Sequence, residues 1–269
     1  MTLPERVLQV TNLGRQGYAE AYARQKELVS RRIAGEIPDT LLLVEHPHVF
    51  TIGRGGSREH LLVSQETLAA EGIEVYEIDR GGDITYHGPG QIVGYPLLDL
   101  KEHGKDVHRA IHMYEEALIG VLAEFGVVGE RDPRYPGVWV DGAKIAAIGI
   151  GIRRWVTFHG FAFNINPDLR FFQMIVPCGI TDKPVTSLAA VLGRPVTPAE
   201  VKPRVAQHFA WIFSLTLLEN TGPVSPQGRT PAGSGWQPCS RQDALFGAPG
   251  PGSPCGKEDE DCLPVFPRG

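Results

Sequence analysis

The sequence predicts an α+β fold: a mixed, largely antiparallel β-sheet core flanked by helices. Three observations predict it. Strand-like runs outnumber helical ones, only some connections between strands have the length and period of a helix, and the clearest strand pair is a hairpin rather than a βα unit. No internal repeat is visible.

RVLQVTNLG (6–14) reads as a first strand. In YAEAYARQKELVSRRI (18–33), Tyr18, Tyr22, Val29 and Ile33 fall near helical spacing opposite a basic and polar face. LLLVEHPHVFTIG (41–53) is apolar and β-branched around Pro47, which predicts two strand segments broken at His46–His48. IEVYEID (73–79) alternates, and QIVGYPLLDL (91–100) leaves the glycine-rich stretch between them as another strand. Asp106 caps a helix carrying Val107, Ile111, Tyr114, Leu118, Val121, Leu122 and Phe125 at helical intervals, with Gly126 as its stop. GVWVDGAKIAAIGI (137–150) predicts a hairpin through a type I′ turn at Asp141–Gly142, and WVTFHGFAFNI (155–165) extends the β region. Thr197, Pro198 and Glu200 have the capping-box layout with proline at the first helical position, which predicts a helix to about Phe213.

From Asn220 the pattern changes. TGPVSPQGRTPAGSG and GAPGPGSPCGKEDEDC have no apolar period and many breakers. Such a segment cannot bury enough surface to offset its ordering entropy. The chain therefore divides into a folded part, 1–219, and a Pro/Gly-rich tail expected to be disordered, 220–269.

The net charge of −5 over 269 residues argues against a general nucleic-acid binder. No apolar run is long enough to cross a bilayer, and the N-terminus lacks the basic-then-apolar pattern of a secretory signal, so a cytoplasmic location is expected. Of the four cysteines, Cys178, Cys239, Cys255 and Cys262, the last three lie in the tail. No CxxC pair and no zinc-spaced Cys/His cluster occurs, so no metal is expected. A lone Cys178 is by itself more often a small buried hydrophobe than a nucleophile.

RGGDITYHGPGQ (80–91) is the most unusual stretch. Gly81, Gly82, Gly88 and Gly90 let backbone N–H groups approach a carbonyl, a phosphate or a flat apolar chain. It is neither a P-loop, since no Gly-Lys-Ser/Thr follows, nor a dinucleotide fingerprint, since a strand rather than a helix follows. Taken alone, it also fits a tight pair of turns joining strands, with His87 hydrogen-bonded and structural.

RGGDITYHGPGQ, GAKIAAIG, FHGFAFNI and VPCGI resemble, in order and spacing, the signatures of the lipoyl/octanoyl transferases, within the biotin/lipoate protein ligase fold family. The resemblance spans roughly residues 5–215, and the tail has no counterpart in it. It implies transfer of an octanoyl group from octanoyl-acyl carrier protein to a lysine of lipoyl domains, those of the 2-oxo-acid dehydrogenases and the glycine cleavage H protein. It implies no cofactor, the acyl group arriving on the carrier's phosphopantetheine, and it leans towards a monomer.

By the same resemblance, Cys178 is the nucleophile and Lys144 its partner. Three segments line the acyl slot: Arg80, Gly81, Gly82, Asp83, Ile84, Thr85, Tyr86 and His87; then Ala147, Ile148 and Gly149; then Gly160, Phe161 and Ala162. His87 and His159 are supporting donors.

Physical chemistry agrees with this choice of pair. A free thiol near pKa ~8.5 is only a few per cent thiolate at neutral pH, and an adjacent ammonium favours the thiolate. Whether Lys144 acts as a cation or as a base stays open, and a solvated edge-strand lysine is the alternative. Pro177 fixes the approach to the turn, and Gly179 lets its backbone N–H come near a reacting carbonyl as an oxyanion donor. Arg153–Arg154–Trp155 either docks an acidic carrier or is a solvated strand end. The competing functions are an ATP-dependent lipoate or biotin ligase, a lipoyl-domain amidotransferase, a non-catalytic acyl-binding scaffold and a cysteine hydrolase.

Overall fold

In the computed structural model, residues 6–179 and 183–219 are described, apart from the side chains of Cys178 and Glu219. The proposed tail, 220–269, lies outside the described residues. In chain order the elements are β1 (Val7–Arg15), α1 (Tyr18–Ile33), β2 (Asp39–Glu45), β3 (Val49–Ile52), α2 (Gln65–Ala70), β4 (Glu74–Glu77), β5 (Ile84–His87), β6 (Gln91–Leu97) and α3 (Val107–Glu124). They continue with β7 (Glu130–Asp132), β8 (Tyr135–Val140), β9 (Ala143–Arg153), β10 (Val156–Asn164), α4 (Leu188–Leu192), α5 (Pro198–Ile212) and β11 (Thr216–Glu219). Short 3-10 turns cover Arg58–His60, Leu169–Met174 and Pro177–Gly179.

Eight strands form one mixed sheet in the order β11-β1-β2-β6-β10-β9-β8-β7. The β1 pairings with β11 and β2 are parallel, and the remaining pairings are antiparallel. A second sheet, β4-β3-β5, stands apart. The predicted α+β class is the observed one.

Alternation along the strands explains the layers. Leu41, Leu43, Ile92, Phe161 and Phe163 face one side of the large sheet, where they pack under Tyr114, Leu118 and Val121 of α3 and Val205 and Phe209 of α5. Their neighbours Leu42, Val44, Val93 and Ala162 face the opposite side, beneath Ala21 and Val29 of α1. Both faces are covered, so β2 and β6 read as continuous apolar runs rather than as alternating ones. A third core, around Phe50, Ile84, Tyr86, Phe171 and Phe172, belongs to the small sheet.

The predicted caps and hairpin are present. Asp106 accepts from Arg109 N–H at 3.0 Å, and Thr197 and Glu200 form the capping box. Asp141 and Gly142 both have positive φ, 49° and 76°, as a type I′ turn requires. The β9–β10 turn has the same geometry at Arg154 and Trp155, with φ of 48° and 71°, and no Asn-Gly signal announced it.

Two expectations change. The stretch 80–91 is not turn throughout, because Ile84–His87 pairs antiparallel with β3 as a strand. The polar side of α1 is not all solvent-facing, because Gln25 and Arg32 are buried. Arg32 Nε sits 2.8 Å from Asp39 Oδ1, and His103 Nε2 sits 2.6 Å from Asp39 Oδ2, so the buried charge is compensated.

A close approach holds the sheet together where β6 crosses β10. Gly94 lies opposite Phe161, and a Cβ there would sit 2.0 Å from the ring's Cζ. Gly94→Ala is expected to destabilise the fold by roughly 1–3 kcal/mol through overpacking, measured by urea denaturation. A change within about 0.5 kcal/mol, the range of an ordinary surface substitution, contradicts this contact.

Candidate active site

Two cavities meet on the face of the large sheet that looks towards α1 and the small sheet. The larger lies between Tyr18 of α1, Arg80–Asp83, Thr85 and His87, Val93 and Tyr95 of β6, Ala147–Gly149 of β9, and His159–Ala162 of β10. The smaller is lined by Lys144 and Pro177 with Thr85, Gln91, Ala147, Ala162, Asn164, Phe172 and Val185. Thr85, Ala147 and Ala162 belong to both. Small side chains at this junction make it a neck between an apolar-walled slot and the place where Lys144 and the Pro177–Gly179 turn converge.

The three predicted segments therefore come together, with one correction. Ile84 and Tyr86 do not line the slot. Strand β5 alternates, so Thr85 and His87 face the slot while Ile84 and Tyr86 enter the core of the small sheet.

Lys144 is 7% exposed and sits at the start of β9. Its backbone is clamped by the neighbouring segment: its N–H donates to Pro184 O at 2.8 Å, and its carbonyl accepts from Thr186 N–H at 3.0 Å. Its Nζ lies 4.8 Å from the Trp139 ring centroid, within cation–π range, and Lys183 Nζ lies 4.7 Å from the same centroid. Cys178 is in the middle of the Pro177–Gly179 turn; its side chain lies outside the described residues. Gly179 has φ +66°, the left-handed conformation that suits glycine. Its N–H closes the turn on Val176 O at 3.1 Å. That bond occupies the donor predicted for an oxyanion.

His87 is buried, and both ring nitrogens are engaged. Nδ1 donates to Gln91 Oε1 at 2.8 Å, and Nε2 accepts from the Thr51 hydroxyl at 3.2 Å. Gln91 Nε2 passes on to Asn164 Oδ1 at 2.9 Å, and Asn164 Nδ2 to Thr186 O at 3.0 Å. This chain links the slot to the clamp around Lys144. Burial, with His46 and Arg80 nearby, pushes His87 down to about 3 against the Gln91 hydrogen bond, so the ring is neutral. His46 is pushed down to about 4 by burial, partly offset by its bond to Gln16 O.

His159 adopts φ 54° inside β10, a strained setting for a non-glycine residue. Its N–H donates to Gln25 Oε1 at 2.9 Å, and its ring contacts Asp79 at 2.8 Å. Burial lowers His159 despite that carboxylate. Asp79 is raised by burial but drawn down to about 2 by His159 and the Tyr22 hydroxyl. Arg80 is held by Thr51 O at 2.6 Å and Gly81 O at 3.0 Å.

Arg153 and Arg154 lie at the opposite end of β9 from Lys144, nine residues or about 30 Å at ~3.3 Å per residue. A carrier docked there is remote from the reacting end. Sequence reading missed His60, whose Nδ1 lies 2.5 Å from Asp83 Oδ2 beside Gly179. Its only signal was proximity to the glycine pair Gly55–Gly56. Among the described residues no cluster of metal-ligating side chains occurs, and no helix is long and apolar enough to cross a membrane.

The two-sided mixed sheet is a fold shared with the lipoate-protein ligases. The putative lipoate protein ligase of T. acidophilum aligns at a TM-score of 0.63 and 16% identity, over 81% of this chain and 90% of that one. Lipoate-protein ligase A bound with ATP aligns at 0.62 and 16%, over 82% and 90%. Residues 17–210 match the family model of the lipoyl protein ligase A/B catalytic domain, and the chain belongs to that family. It is 49% identical over 219 residues to an octanoyltransferase of Geobacter metallireducens, covering 81% of this chain and 100% of the relative. It is 50% identical over 206 residues to an octanoyltransferase of Solibacter usitatus, covering 77% and 93%.

The neutral histidines set a pH dependence. Folded His46 and His87 bind protons more weakly than they do unfolded, so between pH ~6.5 and ~4 the unfolded chain holds more protons. Stability is expected to fall as pH drops through that window, by ~1.4 kcal/mol per pH unit per histidine. Urea titrations at stepped pH measure the slope, and His46→Gln should flatten it by about one proton. A flat profile above pH ~4.5 contradicts burial of neutral rings.

Proposed function

We infer that this chain is an octanoyltransferase acting in protein lipoylation: it moves an octanoyl group from octanoyl-acyl carrier protein to a specific lysine of a lipoyl domain. One observation carries the reading. The apolar-walled slot and the cavity lined by Lys144 and Pro177 adjoin, sharing Thr85, Ala147 and Ala162 in their walls. Octanoyltransferases about half identical over most of the chain support the same reading.

The slot suits a short saturated chain. Burying it contributes on the order of 5 kcal/mol at ~0.8 kcal/mol per methylene. With the tail beside Tyr95 and Gly149, the thioester carbonyl emerges at the neck, facing Lys144 and the turn of Cys178. In the first half-reaction the Cys178 thiolate attacks that carbonyl, and the phosphopantetheine thiolate leaves. In the second, the target lysine's amine attacks the acyl-cysteine, an amide forms, and the cysteine thiolate leaves. Thioester exchange is nearly balanced and amide formation is downhill, so no ATP is required. Lys144 serves the Cys178 thiolate in the first half-reaction, an ammonium beside a thiol favouring its ionised form. The partners are then the acyl donor on its carrier and lipoyl domains such as those of the 2-oxo-acid dehydrogenases and the glycine cleavage H protein.

With octanoyl-acyl carrier protein, apo lipoyl domain and no ATP, wild type is expected to transfer and Lys144→Ala to fall about 100-fold. Transfer only from free octanoate with ATP overturns the reading in favour of a ligase. Filling the neck with Ala162→Leu is expected to cut octanoyl transfer at least about 10-fold while sparing acetyl transfer, because only the longer chain must pass it. Equal losses for both donors place the chain elsewhere.

A further inference from the structure

His60 and Asp83, 23 residues apart in sequence, meet beside the turn that carries Cys178. The Arg58–His60 turn is zipped to the segment leading into it. Val176 N–H donates to His60 O and Leu62 N–H to Met174 O, both at 2.8 Å, and Leu61 bridges Ile175. The His60 side chain is 35% exposed, with Nδ1 2.5 Å from Asp83 Oδ2. That contact is short but falls outside hydrogen-bond geometry. Catalytic contacts often tighten only when substrate binds.

Asp83 is fixed from several sides. Its Oδ1 accepts from Ile84 N–H at 2.6 Å. A Cβ on Gly56 would fall 2.6 Å from that oxygen, and one on Gly179 would fall 2.8 Å from Oδ2 and 3.6 Å from His60 Cε1. The glycines thus clear space for a carboxylate and an imidazole edge against the residue that follows Cys178.

We propose that His60, oriented by Asp83, accepts the proton of the target lysine in the second half-reaction, dividing the work with Lys144, which serves the thiolate in the first. The inference rests on the octanoyl-transfer reading. A ring that presents Nδ1–H to the Asp83 carboxylate keeps the Nε2 lone pair for a proton. The neutral amine forms its N–C bond to the acyl carbon, and one N–H proton passes to His60 Nε2. The C–S bond then breaks, and its electron pair returns to Cys178 as thiolate. The imidazolium, a third exposed, releases its proton to water, and the enzyme is back in its starting state.

The test separates the halves. Full-length enzyme is loaded from octanoyl-acyl carrier protein and then mixed with apo lipoyl domain, each step being timed by intact mass. In His60→Gln, loading is expected within about 3-fold of wild type and discharge about 100-fold slower. Asp83→Asn should slow discharge, by less than His60→Gln does. Imidazole in the buffer should restore discharge in part to His60→Gly, which a merely structural role would not allow. Equal losses in both halves, no loss in either, or no effect of imidazole overturns the proposal. If wild type never carries an octanoyl group, the transfer reading itself fails and this inference falls with it, an outcome distinct from failure at His60 alone.

Discussion

The antiparallel pairing of β6, β10 and β9 is the constraint on which the rest depends. It works because the residues at the crossing are small. Gly94 leaves space for Phe161, and Gly160 lies so near Gly94 O that a Cβ would come within 2.2 Å. Phe161 can then support α5 on one face while Ala162 and Ala147 leave a hollow on the other. The same pairing sets Lys144 at the strand end where the hollow opens. Packing on one side of the sheet and space on the other have a single cause.

Around that hollow the polar groups are arranged to stay neutral or paired. Burial disfavours the charged form of His46, His87 and His159, while Thr51 O and Gly81 O accept hydrogen bonds from Arg80. A slot with neutral or satisfied walls accepts a hydrocarbon chain without leaving a stranded charge. Outside the slot, His60 meets Asp83 beside Gly179, and Lys144 lies over the Trp139 ring.

Much of this was legible in the sequence because the signals were local. Asp141–Gly142 demanded a hairpin turn, Thr197–Glu200 a capped helix, and the glycines of 80–91 a close approach. Lys144 and the slot segments were reached through motifs in order. Other features are decided by tertiary contact. The Arg154–Trp155 turn carries positive φ on residues that do not favour it, Gln25 and Arg32 are buried on an apparently polar face, and Ile84 and Tyr86 turn from the slot because β5 pairs with β3. The His60–Asp83 contact joins two loops that no periodicity links. The Gly179 N–H, legible as a donor, is spent within its own turn.

The most direct measurement is of the bond on which the chemistry turns. Full-length enzyme mixed with octanoyl-acyl carrier protein, quenched before any acceptor is added and digested, is mapped by mass spectrometry. The account predicts one octanoyl group, on the peptide holding Cys178, that disappears when apo lipoyl domain is supplied. An unmodified enzyme, or an octanoyl group on another residue, while transfer to lipoyl domains proceeds at its normal rate, contradicts it.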